Sequence, residues 1–347
     1  MRLLMEGGRN DAKWYLATPP DSVAATKLSS IATVLPTVFR GLQFLASARR
    51  LAGFCREQNI QIIDCQTSKA HSIALLIRKF NPLVKVVVHR RVDFTPSGSW
   101  INRKKYLSTA IDRYVSISDA IHEILQNYGI PDKRLSVVKS AVDPSPFRAL
   151  DHETCRKKLA HELNLPSDIP WIINVAYHTE QKGMETLIRG LQKLKTRTPD
   201  FVCLLAGSGH LTEQLKIMTH EYRLDSQVRF LGIRKDVPEL LVAGDIFALP
   251  SNYEGLGTSI LDALHSRCAV AASRIGGIPE MIQHDRTGLL SEVGDDSQLA
   301  INLERLIRDP LTRRELAAAG EAFISDKFSI ARMVEGNLAV YRDVLAT

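Results

Sequence analysis

The residues best suited to chemistry lie between Asp245 and Glu280. An apolar run, Ile246-Phe247-Ala248-Leu249-Pro250, leads into a polar turn, Ser251-Asn252-Tyr253, and then to Glu254. Gly255, Leu256, Gly257, Thr258 and Ser259 follow and enter a helical pattern with Ile260, Leu261 and Leu264 on one side. A second carboxylate, Asp262, stands eight residues beyond Glu254, about two turns on at ~3.6 residues per turn. Glycines keep such a loop open enough for a ligand to reach backbone N–H groups. In the first turn of a helix those groups have no partner within the helix, so they suit an anion, a phosphate above all. Two readings are open. In one, the glycines are turn punctuation, Thr258 or Ser259 is an N-cap and Glu254 is a solvated loop acid. In the other, the segment holds a sugar nucleotide, with Glu254 on sugar hydroxyls, the helix start on the diphosphate and Asp262 on ribose hydroxyls.

These residues carry a resemblance. The segment from Glu254 to Asp262 is similar to the E-x7-E stretch of retaining family 4 glycosyltransferases of the GT-B fold, with Asp262 where a second Glu is usual. Further motifs follow the order of that family. Asn174-Val175-Ala176-Tyr177-His178 with Gln181-Lys182-Gly183 resembles its strand and loop ending in Lys-Gly. Leu204-Leu205-Ala206-Gly207-Ser208-Gly209 resembles its strand and Gly-x-Gly turn, and Val228-Arg229-Phe230-Leu231-Gly232 its V-x-F-L-G strand. Ala141-Val142-Asp143-Pro144-Ser145-Pro146-Phe147 resembles a G-V/I-D-x-x-x-F segment, with Ala141 in place of Gly. Several motifs in order are more specific than any one of them. The resemblance covers most of residues 30–345.

The resemblance implies two Rossmann-like, doubly wound parallel-sheet domains facing a cleft, and transfer of a sugar from a nucleoside diphosphate to a lipid-linked or glycan acceptor. It makes Lys182 the phosphate-binding cation, Glu254 the sugar-binding acid and Asp262 the ribose contact. It places His89, at the end of a strand, near the reacting sugar. The base lies along the backbone at Gly232, Ile233 and Arg234, and Gly207 and Gly209 let the chain pass close to the nucleotide. The amides of Gly257, Thr258 and Ser259 add phosphate contacts, beside Gly255 and Leu256. Where the family has a second cation, this chain has Tyr177, which lacks the charge and fork of a guanidinium; Lys193 and Arg274 are candidates to replace it. Read alone, Lys182 is equally a solvated residue at a helix start, His89 a structural histidine, and Gly207-Ser208-Gly209 a tight turn.

Elements must position these groups. Apolar runs at 13–18, 32–39, 60–65, 84–89, 112–118 and 135–139 read as strands, with helices at 43–57, 69–80 and 119–128 between them. A second series of strands falls at 171–175, 201–206, 228–231, 246–249, 269–272 and 288–290, with helices at 299–308, 311–322 and 329–345. Alternation of this kind indicates parallel sheets, whose ligands sit beyond the carboxyl ends of the strands. The expected organisation is a first domain over 1–147, a polar connection over 148–169 with a helical piece at 153–163, a nucleotide-sugar domain over 170–325 and a helix over 326–347 that crosses back. By the resemblance, Met1–Gly8 matches the end of a first helix, and the strand and glycine-rich loop before it are not matched.

Bulk properties agree with a two-domain globular protein. The chain has 347 residues, 45 % hydrophobic and 24 % charged. No apolar run approaches the ~18 residues of a membrane span, and no apolar signal core is evident at the start. Five scattered cysteines without a C-x-x-C pair fit reduced cytoplasmic thiols. The net charge of +7 is uneven: residues 1–150 hold 22 Lys and Arg against 11 Asp and Glu, and the rest holds 23 against 27. Arg49-Arg50, Arg90-Arg91 and Arg103-Lys104-Lys105 suit an anionic membrane surface, or form a solvated basic face. No nucleic-acid module is recognised. No D-x-D pair or metal-ligand spacing occurs, so neither a metal nor another cofactor is expected. Two other readings remain: an inactive scaffold of the same fold, and a dinucleotide-dependent oxidoreductase, which lacks its third glycine because Thr212 stands there.

Overall fold

In the computed structural model, which describes every residue except Arg40 and Leu42, the apolar runs become strands that pair only in parallel. The chain divides into two units: Met1–Ser140 with Ile330–Thr347, and Ala141–Ser329.

The first unit contains β1 (Tyr15–Thr18), β2 (Thr33–Pro36), β3 (Ile62–Cys65), β4 (Lys85–Arg90), β5 (Arg113–Ser116) and β6 (Leu135–Val137). β1 and β2 form a sheet of their own, while β3 to β6 lie side by side in chain order. The parallel strands expected in this half thus fall into two sheets. Alternation along β4 explains the layering of the larger sheet. Val86 and Val88 pack with Tyr114 and Leu125 on one face. Val87 packs with Val115, Val334, Leu338 and Tyr341 on the other. A parallel sheet must be covered on both faces, and the helix Ile330–Ala346 supplies one cover. The sequence pattern did not foresee the short helix Trp100–Tyr106, capped by Ser99, whose hydroxyl accepts from Asn102 N.

The second unit holds β7 (Trp171–Val175), β8 (Val202–Ala206), β9 (Val228–Gly232), β10 (Ile246–Leu249), β11 (Ala269–Ser273) and β12 (Leu289–Ser291), in the order β12-β11-β10-β7-β8-β9. The order reverses between β7 and β10, the position at which open α/β sheets bind ligands. β8, β10 and β11 are buried throughout. The helix Met184–Arg197 turns Met184, Leu187, Ile188, Leu191 and Leu194 into the core at helical spacing.

Residues 148–169, expected as a connection, belong to this unit. The helix His152–Leu163 is capped by Asp151 and ends at Asn164 in the left-handed region, φ 51°. Its Arg156 is buried. Arg156 donates to Ala243 O at 2.7 Å and Asp245 Oδ2 at 3.0 Å, and lies 3.9 Å above the Trp171 ring. The helical piece expected at 153–163 is thus present, and its packing into this unit rests on a fully partnered cation.

Candidate active site

At the switch point the β7 and β10 ladder stops early. The register runs through Ile246↔Ile172 and Phe247↔Ile173, after which the buried Asn174 amide reaches across to Ala248 O at 2.8 Å. Beyond it, the loops after β7 and β10 are fastened together. Gln181 O accepts from Asn252 N at 2.9 Å and Tyr253 N at 3.3 Å, and Asn252 Nδ2 donates to Glu180 O at 2.7 Å. Gly183 makes this possible. It has φ 62°, and a Cβ there would lie 1.8 Å from Pro250 O, so only glycine lets the two backbones pass.

The fastening brings Lys182 to Glu254. Lys182 Nζ is 2.5 Å from Glu254 Oε2, and Ser251 Oγ is 3.4 Å from the same oxygen. Glu254 is buried, so its charge needs this partner. Glu254 O accepts from Gly277 N at 3.3 Å, which ties the acid to the loop after β11. Gly255 and Leu256 are buried behind the turn.

The helix Thr258–His265 starts three residues after Gly255, and Gly257, with φ of 86°, stands at its N-cap. No side chain caps it. Neither Thr258 nor Ser259 therefore acts as the N-cap that one reading assigned them. The N–H groups of Thr258 and Ser259 meet no hydrogen-bond partner among the described residues. Asp262 is the fifth residue of this helix, little more than one turn in, because the helix begins at Thr258 rather than at Glu254. Burial raises its carboxyl to about 6.

The remaining candidates differ in what they can offer. Tyr177 is 72 % exposed at the start of the loop after β7. Gly207 and Gly209 serve loop packing: a Cβ at Gly207 would lie 1.9 Å from Ala176 O, and one at Gly209 2.2 Å from His178 O. Gly232 has φ 64° with open space around it, so conformation rather than crowding selects glycine there. Ile233 is exposed. Arg234 is not a free cation: it donates to Asp236 Oδ1 at 2.8 Å and Glu162 Oε1 at 2.7 Å, and those bonds raise its pKa. Nor can Lys193 or Arg274 simply replace the cation missing at Tyr177. Lys193 is paired with Asp296 and Arg274 with Glu292.

His89 belongs to the first unit. It sits at the carboxyl end of β4, its Nε2 3.3 Å from Asp64 Oδ1, an ion-pair distance without hydrogen-bond geometry. Burial acts to raise the Asp64 carboxyl. The charge of His89 and hydrogen bonds from Tyr341 and Gln66 outweigh it and hold the group below its ordinary range. His89 also lines a small cavity with Gln66, Arg91 and Ser140.

Two family models match the chain in succession: Glycosyltransferase Family 4 over residues 14–146, and Glycosyl transferases group 1 over residues 156–323. This chain belongs to the group 1, family 4 glycosyltransferases. N-acetyl-alpha-D-glucosaminyl L-malate synthase of Bacillus anthracis is 24 % identical over 307 residues, 87 % of this chain and 79 % of that protein. The lipopolysaccharide core biosynthesis glycosyltransferase LpsD of Rhizobium meliloti is 29 % identical over 180 residues, 52 % of this chain and 51 % of that protein. The crystal structure of Anabaena HepE in complex with UDP superposes with a TM-score of 0.86 at 19 % identity, covering 99 % of this chain and 95 % of that one. That likeness shows the GT-B fold. The scaffold and oxidoreductase readings are accordingly set aside.

Two residues of this glycosyltransferase escaped the sequence reading. Asn174 was visible as an amide within the apolar run Trp171-Ile172-Ile173-Asn174-Val175 but was not given a task. His178 is fully buried behind the glycine turn, where burial lowers its pKa. Thr212 Oγ1 donates to Gly209 O at 2.8 Å and accepts from Gly209 N at 2.9 Å. Its one proton is thereby committed, so His178 Nδ1, 2.9 Å away, is the donor to it. The imidazole thus steadies the Gly207-Ser208-Gly209 turn of the enzyme. No single residue in the sequence signals that contact, because Thr212 lies 34 positions further along the chain.

Proposed function

We propose that this glycosyltransferase moves a sugar from a nucleoside diphosphate to a hydroxyl of a lipid-linked or polysaccharide acceptor, with retention of anomeric configuration. The observation that carries the reading is the meeting of Lys182 and Glu254 at the switch point beside a helix start with no side-chain cap. The departing diphosphate develops negative charge, and stabilising that charge is the main task of such a site. Lys182 supplies an ammonium, and the N–H groups of Thr258 and Ser259 supply fixed dipoles of the same sense. A diphosphate drawing on Lys182 loosens the ammonium from Glu254, whose oxygens are then available to sugar hydroxyls. Asp262 accepts from ribose hydroxyls, through water where its shorter side chain falls short. No metal is required in this scheme.

The uridine nucleotides in the HepE structures, UDP and UDP-glucose, make uridine diphosphate sugars the first to try as donors. The lipopolysaccharide relative supports an acceptor of that class. Among the described residues no helix is long and apolar enough to cross a membrane; it is the lipid-linked acceptor of this reading that puts the enzyme at the cytoplasmic membrane face as a peripheral protein. The acceptor hydroxyl enters on the face the leaving group vacates and passes its proton to the departing phosphate. NMR of the first-formed product, with a glycan acceptor and an α-linked nucleotide sugar, is expected to show an α-linkage. A β-linked product would overturn the mechanism.

A further inference from the structure

Phe94, Trp100 and Ile101 are 61, 72 and 61 % exposed, three large apolar groups within eight residues of the first unit. They lie on the segment that follows β4, and the helix Trp100–Tyr106 carries two of them. That helix has two distinct sides. Tyr106 is buried and Asn102 and Lys105 are half-buried, whereas Trp100, Ile101, Arg103 and Lys104 are exposed. Spacings of three and four residues put Arg103 and Lys104 on the side of Trp100. The outer side therefore joins apolar groups to cations and carries no acid. Across residues 91–105, Arg91, Arg103, Lys104 and Lys105 face a single acid, Asp93.

The segment is held in this attitude by its neighbours. Arg90 donates to Tyr106 Oη at 3.0 Å and to Phe94 O, with its guanidinium 4.7 Å from the Phe94 ring centre. Tyr128 Oη donates to Ser97 O at 2.9 Å, and Ser97 and Ser99 accept from Asn102. The Arg103 guanidinium rests 5.9 Å from the Tyr128 ring centre, and the side chains of Trp100, Ile101 and Lys104 have no hydrogen bond or ion pair among the described residues.

We propose that the outer face of residues 91–104 docks on an anionic lipid bilayer, with Phe94, Trp100 and Ile101 in the interfacial layer and Arg103 and Lys104 at the headgroup phosphates. A Trp ring sits well at the headgroup level, apolar burial and cationic attraction add together in such surfaces, and anionic lipid draws Lys and Arg toward it. The surplus of basic residues over 1–150 extends the attraction beyond the patch. A nucleic acid fits less well, because Ile101 offers a base no ring on which to stack. The segment begins at the carboxyl end of β4, and Arg91 lines the cavity that contains His89. A bilayer held here keeps a lipid-borne acceptor at that end of the sheet. The inference rests on the membrane-linked acceptor proposed above and names the surface that meets the membrane.

The test is co-sedimentation of the full chain with vesicles of phosphatidylcholine alone and of an equal mixture with phosphatidylglycerol. Wild type is expected to bind the mixed vesicles and to leave them as salt is raised. W100S/I101S and R103E/K104E are each expected to lose at least about tenfold in partitioning. K27E/K79E, with the same charge change on the helices Val23–Leu28 and Ser68–Phe80, is expected to keep its binding within about twofold. Circular dichroism melting checks that each variant folds, and F94S serves as a replacement if W100S/I101S does not. Equal binding by wild type and W100S/I101S overturns the proposal, as does equal binding to both kinds of vesicle. Self-association or single-stranded DNA binding lost in W100S/I101S, without vesicle binding by wild type, gives the patch to another partner and overturns it too. Transfer from UDP-, GDP- and ADP-sugars to a glycan acceptor is measured on the same samples. Transfer with patch-independent vesicle binding sinks the docking surface alone, and patch-dependent binding without transfer from any of the three sinks the transferase mechanism alone.

Discussion

Asp262 and Glu254 are both carboxylates beside the same helix start, yet their surroundings differ. Glu254 has Lys182 and Ser251 against it, whereas the Asp262 carboxylate has no hydrogen-bond partner among the described residues, and burial pushes its pKa up to about 6. For an acid whose folded pKa lies above the unfolded value, the fold favours the protonated form. Stability is then greatest below the unfolded pKa of about 4 and falls as pH rises through 6. A shift of this size corresponds to at most about 3 kcal/mol. D262N removes the ionisation and keeps the shape. It is expected to melt higher than wild type at pH 8, with the difference shrinking toward pH 4, and to bind nucleotide sugars more weakly. Thermal unfolding across that range checks the first part, since identical pH profiles would mean that Asp262 is solvated or paired. A buried acid that destabilises the protein at neutral pH is the kind of residue a ligand hydroxyl can satisfy.

Among the elements, the decisive ones are two loops rather than two strands. Gly183 and Gly232 have almost the same φ, 62° and 64°, but a Cβ at Gly183 meets Pro250 O and one at Gly232 meets nothing. G232A is expected to cost about 1 kcal/mol, the price of a left-handed alanine. G183A should cost at least about 2 kcal/mol more, because two backbones must separate, and it should lose activity as Lys182 leaves Glu254. Equal melting shifts for the two variants would show that the loop packing is not what matters. The sequence made much of this legible. Strands such as 246–249 were readable because parallel strands buried on both faces are apolar throughout. The Lys182-Gly183 and Glu254 motifs were readable because they are local. What stayed hidden depends on distant partners. The helical piece at 153–163 was readable, but its packing into the second unit was not, because Arg156 counts as polar until Asp245 and Trp171 are placed beside it. His178 needed Thr212, and the split of the first unit into two sheets depends on which strand edges meet, which periodicity does not encode.

At the scale of the whole molecule, charge and chemistry are divided between the units. The basic surplus lies in residues 1–150, while Lys182, Glu254, Thr258, Ser259 and Asp262 all belong to the second unit. That division suits an enzyme that takes an anionic nucleotide at one unit and meets an anionic surface with the other. Around the proposed nucleotide site the cation supply is thin. Tyr177 is neutral, Arg234 is held by Asp236 and Glu162, Lys193 by Asp296 and Arg274 by Glu292. Affinity for a diphosphate must therefore depend on Lys182 and the helix start far more than in a site with two cations. Titration calorimetry of wild type and K182A with UDP, GDP and ADP tests this most directly. One nucleotide is expected to bind wild type, and K182A to bind it about 10- to 100-fold more weakly, as loss of a charge-assisted phosphate contact of about 1.5–3 kcal/mol requires. Undiminished binding of that nucleotide by K182A would contradict the account.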